Sequence, residues 1–262
     1  MAPLGQKVIF FDLMGTCCDW LSSMLPLLQS CPPHPSLTPP EIKLRHLAIA
    51  WREGFFDEIH RRFEQQQPSE DIDITHRRVL DKLLGARGID RSVWDDRTRA
   101  GLVHQWHVQT PWPDVIPALS RLREDREWFL IVLANGTTRL QLDIAQSSGI
   151  PFHMLLSSEL LGYTKPDPAI YRKAMGLVRV PPENCYMLAS HLYDLEAAKG
   201  VGMKTIYVHR STEDVDTHTV ELDGKHSYVD YYFDGRPAAH PVQPVPQNNG
   251  FLSAVATLTE TN

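Results

Sequence analysis

Several things are scarce in this chain, and each scarcity removes a class of protein. Its 262 residues include only four cysteines, Cys17, Cys18, Cys31 and Cys185. Their spacing fits no zinc-ligand pattern, and a chain of this length needs no disulfides to hold a core. They are expected to be free thiols. There is no block of lysine or arginine, and the formal net charge is −6, so nucleic acid is not an expected partner. No stretch approaches the ~18 apolar residues of a membrane span, and Met1 to Lys7 lacks the apolar centre of a secretory leader. The expectation is a cytoplasmic protein with no membrane partner. What the chain does have is 42% hydrophobic residues, enough for one large α/β domain with a smaller insertion. A small anionic or neutral molecule is the expected substrate.

The first apolar run, Lys7-Val8-Ile9-Phe10-Phe11, reads as a buried strand that ends in Asp12-Leu13-Met14-Gly15-Thr16. Alternation of strand and helix then stops, and residues 21 to 108 carry helical patterns. The clearest spans about residues 40 to 63, where Leu44, Leu47, Trp51, Phe55, Ile59 and Phe63 recur three or four positions apart as one apolar stripe. Further helices are expected at about 73 to 84 and 91 to 107. Prolines in Cys31-Pro32-Pro33-His34-Pro35 and Thr38-Pro39-Pro40 bound a loop before the long helix. His104 and His107 stand one helical turn apart, but no carboxylate or third histidine joins them, and a solvated helix face is expected there.

From Pro113 onward the pattern returns to short apolar strands alternating with helices. Strands are expected near residues 129–134, 153–156, 185–189 and 205–209, and helices near 115–123, 168–177 and 193–198. Such alternation implies a parallel sheet covered on both faces. The expected architecture is α/β: a Rossmann-like parallel-sheet core from residues 1–17 and 113–262, with residues 18–112 inserted after the first strand as a helical cap. A last strand near 228–233 and a last helix near 251–258 are expected, joined by a flexible Pro-rich segment from 236 to 249. The stripe on the long cap helix is also a candidate homodimer surface, although packing within the chain accounts for the same stripe.

Polar residues stand just past four of these apolar runs: Asp12 with Thr16, Asn135 with Gly136, Lys165 in Thr164-Lys165-Pro166-Asp167-Pro168, and Ser190, His191 and Asp194. In a parallel sheet such ends lie side by side, so residues distant in sequence converge on one pocket. Taken singly, each has an ordinary reading. Asp12 and Thr16 can cap a turn, Asn135-Gly136 is a common turn dipeptide, Lys165 can be a solvated charge, and Asp194 can be a helix-start acid. A lone histidine such as His191 is more often a satisfied hydrogen-bonding residue than a catalyst.

Order and spacing together decide the matter. An aspartate after the first strand, a helical insertion, Ala134-Asn135-Gly136, Lys165-Pro166-Asp167-Pro168-Ala169-Ile170-Tyr171 and Ala189-Ser190-His191-Leu192-Tyr193-Asp194 resemble the haloacid dehalogenase superfamily over nearly the whole chain. Within it, the motifs are most similar to those of the (S)-2-haloacid dehalogenases. The resemblance implies a hydrolase without metal or organic cofactor, in which Asp12 attacks the α-carbon of a 2-halo acid and the resulting aspartyl ester is hydrolysed by water. It implies that Lys165 holds Asp12 ionised. Asp194 would hold Lys165 and activate the water, Thr16 would position the nucleophile, and Tyr171 would join the same polar network. Trp51-Arg52 is similar to the family's Trp-Arg pair, which would bring Arg52, assisted by Asn135, to the leaving halide. Without that resemblance, Arg52 reads as a surface arginine beside a buried tryptophan.

Departures from the family pattern bear on the substrate. Ala134 stands where the family usually has serine, so one hydroxyl for the substrate carboxylate is missing, and a lost hydrogen bond to a charged group costs ~1.5 to 3 kcal/mol. His191 stands in place of an asparagine, either as a substitute donor or as a second base. A larger or less acidic metabolite is therefore an alternative substrate. The superfamily's magnesium-dependent phosphatases form the rival enzyme class. They need acids where this chain has Met14 and Ser190, and magnesium requires several hard oxygen ligands. A non-catalytic ligand-binding protein on the same scaffold is the remaining alternative.

Overall fold

The computed structural model describes residues 5–67, 70–215, 220–236 and 250–260, apart from the side chains of residues 60, 63 and 64. The chain forms two compact units, one of Met1–Asp19 with Pro111–Asn262 and one of Trp20–Thr110.

Among the described residues the first unit is built on six parallel strands: β1 (Lys7–Phe11), β2 (Trp128–Ala134), β3 (Met154–Ser157), β4 (Cys185–Ala189), β5 (Lys204–His209) and β6 (Tyr231–Asp234). Their order across the sheet is β3-β2-β1-β4-β5-β6. The central strands are apolar without alternation because both faces are covered: Val8, Phe10, Leu133, Cys185, Met187 and Ala189 are all buried. Val8 lies opposite Phe129 on one side and Cys185 on the other. Winding reverses at β1, so the carboxyl ends of β1 and β4 flank the switch point at which open α/β sheets hold their ligands. The ladder runs one residue past β1, since Asp12 N–H donates to Leu188 O at 3.0 Å. The first residue beyond the strand is thereby fixed by the sheet itself.

The expected helices of this unit stand at Val115–Glu124, Pro168–Val178 and Leu192–Gly200, with shifts of a residue or two at the ends, and a short helix at Ser158–Leu161 was not expected. The last strand begins at Tyr231 rather than near 228. Asp230 explains this, because its carboxylate accepts from Thr205 N–H at 2.8 Å and ties the preceding segment to the start of β5. A helix at Phe251–Glu260 follows. Residues 237–249 of the Pro-rich segment lie outside the described residues.

The inserted unit holds four α-helices among the described residues: α1 (Trp20–Ser30), α2 (Pro40–Glu64), α3 (Ile72–Gly85) and α4 (Asp96–His104). The stripe of α2 is buried at Leu44, Leu47 and Trp51. Its centre is aromatic: Trp51 Nε1–H donates to His76 O at 2.9 Å, and the His76 ring stacks on Phe55 at 3.9 Å and on Trp106 at 4.7 Å. Helix α4 begins at Asp96 rather than near 91, because the Asp95 carboxylate accepts from Thr98 N–H at 2.8 Å and caps it there. His107 departs from the expected solvated face. It is buried, with Nε2 at 2.9 Å from the Asp73 carboxylate. No helix among the described residues is long and apolar enough to cross a membrane.

Candidate active site

Four strand ends do converge. Asp12 follows β1 and is 7% exposed. Its two oxygens have different partners: Oδ1 accepts from Lys165 Nζ at 2.9 Å, whereas Oδ2 accepts from Thr16 Oγ1 at 2.7 Å and faces His191 Nδ1 at 3.1 Å. Thr16 is held in turn, since its hydroxyl oxygen accepts from Ser190 N–H at 2.9 Å. The turn that carries Thr16 requires glycine at position 15, where φ is +88°. Its carbonyl accepts from Trp112 Nε1 at 2.9 Å.

Lys165 reaches the site from the loop after β3 with its side chain 1% exposed. Besides Asp12 it donates to Asp194 Oδ2 at 2.5 Å, and Tyr171 donates to Asp194 Oδ1 at 2.5 Å. Both oxygens of Asp194 are thus engaged, and its side chain is fully buried. The backbone of Lys165 is clipped by Asn135, whose amide accepts from Lys165 N–H at 2.8 Å and donates to Lys165 O at 3.1 Å. Asn135 therefore anchors the lysine loop, a contact not expected from sequence. Arg52 belongs to the inserted unit. It is a buried residue rather than a surface one, its guanidinium 4.8 Å from the Trp20 ring centroid and 5.1 Å from that of Phe56.

A functional candidate missed in the sequence is Glu213. It lies past the end of β5, is buried, and places Oε2 at 2.8 Å from His191 Nε2 while Oε1 accepts from Thr212 Oγ1 at 2.9 Å. A fifth strand end thus enters the site. The rule that found the other four, applied to the segment Arg210 to Asp214, identifies it.

The protonation states follow from these contacts. Burial alone would raise the Asp12 carboxyl, but the Lys165 ammonium, His191 and Thr16 outweigh it and hold the group well below the usual carboxylate range. Burial pulls Lys165 down, and Asp12 and Asp194 more than restore it, so the ammonium is firmly charged. Asp194 is shifted upward, by burial first and then by the nearby Asp12 charge, despite its bond to Lys165. His191 is pulled down by burial and pushed well above its ordinary value by Asp12 and Glu213.

The donor set does not fit a divalent cation. Met14 supplies no side-chain oxygen, the Ser190 hydroxyl is turned away to donate to Val208 O at 2.6 Å, and the Lys165 ammonium already sits between Asp12 and Asp194. Among the described residues no three His, Cys, Asp or Glu side chains are grouped to hold a metal ion.

Residues 6–202 match the family model described as haloacid dehalogenase-like hydrolase. The chain is 25% identical over 209 residues to (S)-2-haloacid dehalogenase 2 of Pseudomonas sp. (strain CBS-3), covering 78% of this chain and 83% of that one. It is 29% identical over 189 residues to glyceraldehyde 3-phosphate phosphatase of Methanopyrus kandleri, covering 66% of this chain and 78% of that one. The crystal structure of the L-2-haloacid dehalogenase PA0810 superposes with a TM-score of 0.77 at 28% identity, covering 97% of this chain and 99% of that one.

Proposed function

The chain belongs to the haloacid dehalogenase-like hydrolases, and we propose that within this family it cleaves a carbon–halogen bond in a small 2-halo acid, or a related bond at an activated carbon. The observation that carries this reading is the unequal setting of the Asp12 oxygens. Oδ2 is tied by Thr16 and His191, while Oδ1 has Lys165 as its partner. An ionised, oriented carboxylate is the nucleophile needed for displacement at carbon. Two residues further on, where a phosphate leaving group would need an acid, stands Met14.

Oδ1 attacks the α-carbon, the carbon–halogen bond breaks with its electrons on the halide, and an ester joins Asp12 to the organic acid. Lys165 keeps Asp12 charged before attack, Asp194, itself bonded by Tyr171, holds Lys165, and Asn135 fixes the loop that delivers it. Water then cleaves the ester at the aspartyl carbonyl.

Halide release from (S)-2-chloropropionate in the presence of excess EDTA is the direct test, and multiple turnovers are expected. The archaeal phosphatase relative motivates the rival outcome. Phosphate release dependent on magnesium, with no halide from any 2-halo acid, would overturn the proposal.

A further inference from the structure

His191 lies between two carboxylates, with Nδ1 at 3.1 Å from Asp12 Oδ2 and Nε2 at 2.8 Å from Glu213 Oε2. The ring is therefore oriented from both ends. Glu213 is itself fixed, its side chain 3% exposed. A second observation shows that the site is built around it: a Cβ on Gly15 would stand 2.3 Å from the Glu213 carboxyl carbon. The glycine of the nucleophile's own turn makes room for this glutamate. The start of the following helix makes no claim on the His191 side chain, because Asp214 Oδ2 accepts from Leu192 N–H at 2.8 Å instead. Asp194, the other candidate base, has both oxygens bonded and its side chain fully enclosed.

Resting on the aspartyl-ester reading above, we propose that His191 is the base of the hydrolytic half-reaction and Glu213 its positioning residue. Asp12, His191 and Glu213 thus form a relay that becomes basic only after Asp12 has been alkylated. In the free enzyme the groups facing the ring are Asp12 and Glu213 in direct contact, with Asp214, the Tyr193 ring at 5.7 Å and the Lys165–Asp12 pair around them. Two carboxylates on two nitrogens favour the doubly protonated ring, which cannot accept a proton. Ester formation removes the charge of Asp12, and the Nδ1 proton then passes to solvent. Glu213 still holds Nε2–H, so the lone pair appears on Nδ1 beside the ester carbonyl.

Each bond and proton in the second half-reaction is then accounted for. Water oxygen bonds to Asp12 Cγ as one of its protons moves to Nδ1, and the carbonyl electron pair moves onto Oδ2, where Thr16 donates. Collapse breaks the Cγ–Oδ1 bond. Oδ1 leaves in the hydroxy acid with the Nδ1 proton, and the new carboxyl of Asp12, carrying the water oxygen, returns its remaining proton to His191. The resting ion pair is restored, and the net products of the cycle are hydroxy acid, halide and one proton.

The test is rapid-quench halide counting on the full-length wild type, Glu213→Gln, Glu213→Asp and His191→Gln with (S)-2-chloropropionate, with mass analysis of the Asp12 peptide. Glu213→Gln is expected to release one halide per site at near wild-type rate. Its steady turnover should then slow about ten- to a hundredfold, the effect of one charge-assisted hydrogen bond. His191→Gln should slow about 10²- to 10⁴-fold, the scale of a general base. Both should accumulate the ester on Asp12, and Glu213→Asp should recover part of the turnover. Full turnover in both variants, or loss of the first halide burst in both, overturns the relay while leaving the ester chemistry standing. Absence of halide from the wild type removes the ester reading and the relay together.

Discussion

Replacing Lys165 by methionine removes the one cation that two buried carboxylates share, and the consequences are large enough to separate from ordinary core damage. The Asp12 side chain is 10% exposed and that of Asp194 fully buried, while the lysine nitrogen lies 2.9 Å and 2.5 Å from their oxygens. Removing one partner of a buried pair costs about 3–5 kcal/mol, so Lys165→Met should lose about that much stability at pH 8. In the wild type Asp12 sits below its unfolded pKa. Its stabilisation is present above that unfolded value and is lost only as pH falls through the folded one. Lys165 sits above its unfolded pKa, so its stabilisation is present below that value and is lost as pH rises through the folded one. Neither group changes state between pH 5 and 8. In the variant Asp194 loses its cation and Asp12 keeps only His191, and the proton affinity of the two carboxylates rises. The native state then binds more protons than the unfolded chain, and stability falls as pH rises, by up to about 1.4 kcal/mol per pH unit for one proton. His191 is shifted upward, so its contribution is present below its unfolded pKa and declines above it, adding to the same slope in both proteins. Urea unfolding at pH 5 and pH 8 measures the difference: the gap between variant and wild type should narrow at pH 5. A gap under about 1 kcal/mol at pH 8, or one that is unchanged at pH 5, would refute the buried-pair argument.

Three further substitutions have outcomes set by the geometry. Gly15→Ala places a methyl group in the left-handed region and against Glu213; it should cost about 1–3 kcal/mol and reproduce the slow ester hydrolysis of Glu213→Gln. Gly88→Ala, also at positive φ but with no heavy atom within 4 Å of the added carbon, should lose stability in a denaturant titration without that kinetic defect. Arg210→Met removes a guanidinium that donates to Asp114 at 2.9 Å and to Thr16 O at 3.2 Å between the Trp112 and Phe251 rings. About 3–5 kcal/mol of stability should be lost in urea, while the halide burst of the protein that remains folded stays within a fewfold of wild type.

The sequence made the strand ends legible because β1, β2 and β4 are uninterrupted apolar runs, and a run buried on both faces can only end where polar residues resume. Asp12, Asn135 and His191 are found this way. Lys165 stands past an apolar run as well, but its burial and the part of Tyr171 needed the motif, since nothing local marks a loop lysine as buried. Glu213 stands four residues beyond β5 in a segment without a motif, so only the strand-end rule reaches it, and its importance is set by contacts with Gly15 and His191, 198 and 22 positions away. Asn135 was found but its contact was not: an amide bonded to a backbone 30 positions downstream leaves no periodic trace. The long helix of the insertion was predicted by its stripe. The stacking of Arg52 on Trp20 joins two different helices and is invisible to a pattern within either.

Met14 and Glu213 are linked by electrostatics. A phosphatase of this superfamily would carry an acid in place of Met14; this chain instead brings an acid from β5 and sets it against a histidine. The result is an alternating row, Asp194, Lys165, Asp12, His191, Glu213, in which each neighbour pair is in contact and, with the ring protonated, opposite in sign. The row carries three negative and two positive groups, a net charge of −1 centred on Asp12. Alkylation removes the central negative charge and leaves two ion pairs, Asp194 with Lys165 and Glu213 with His191. The row then sums to zero until the Nδ1 proton departs. An additional acid at position 14 would add a fourth negative group beside the nucleophile and call for a metal to balance it. With Met14 the row stays at −1, carried by side chains alone, which is the charge from which the proposed attack on carbon would start.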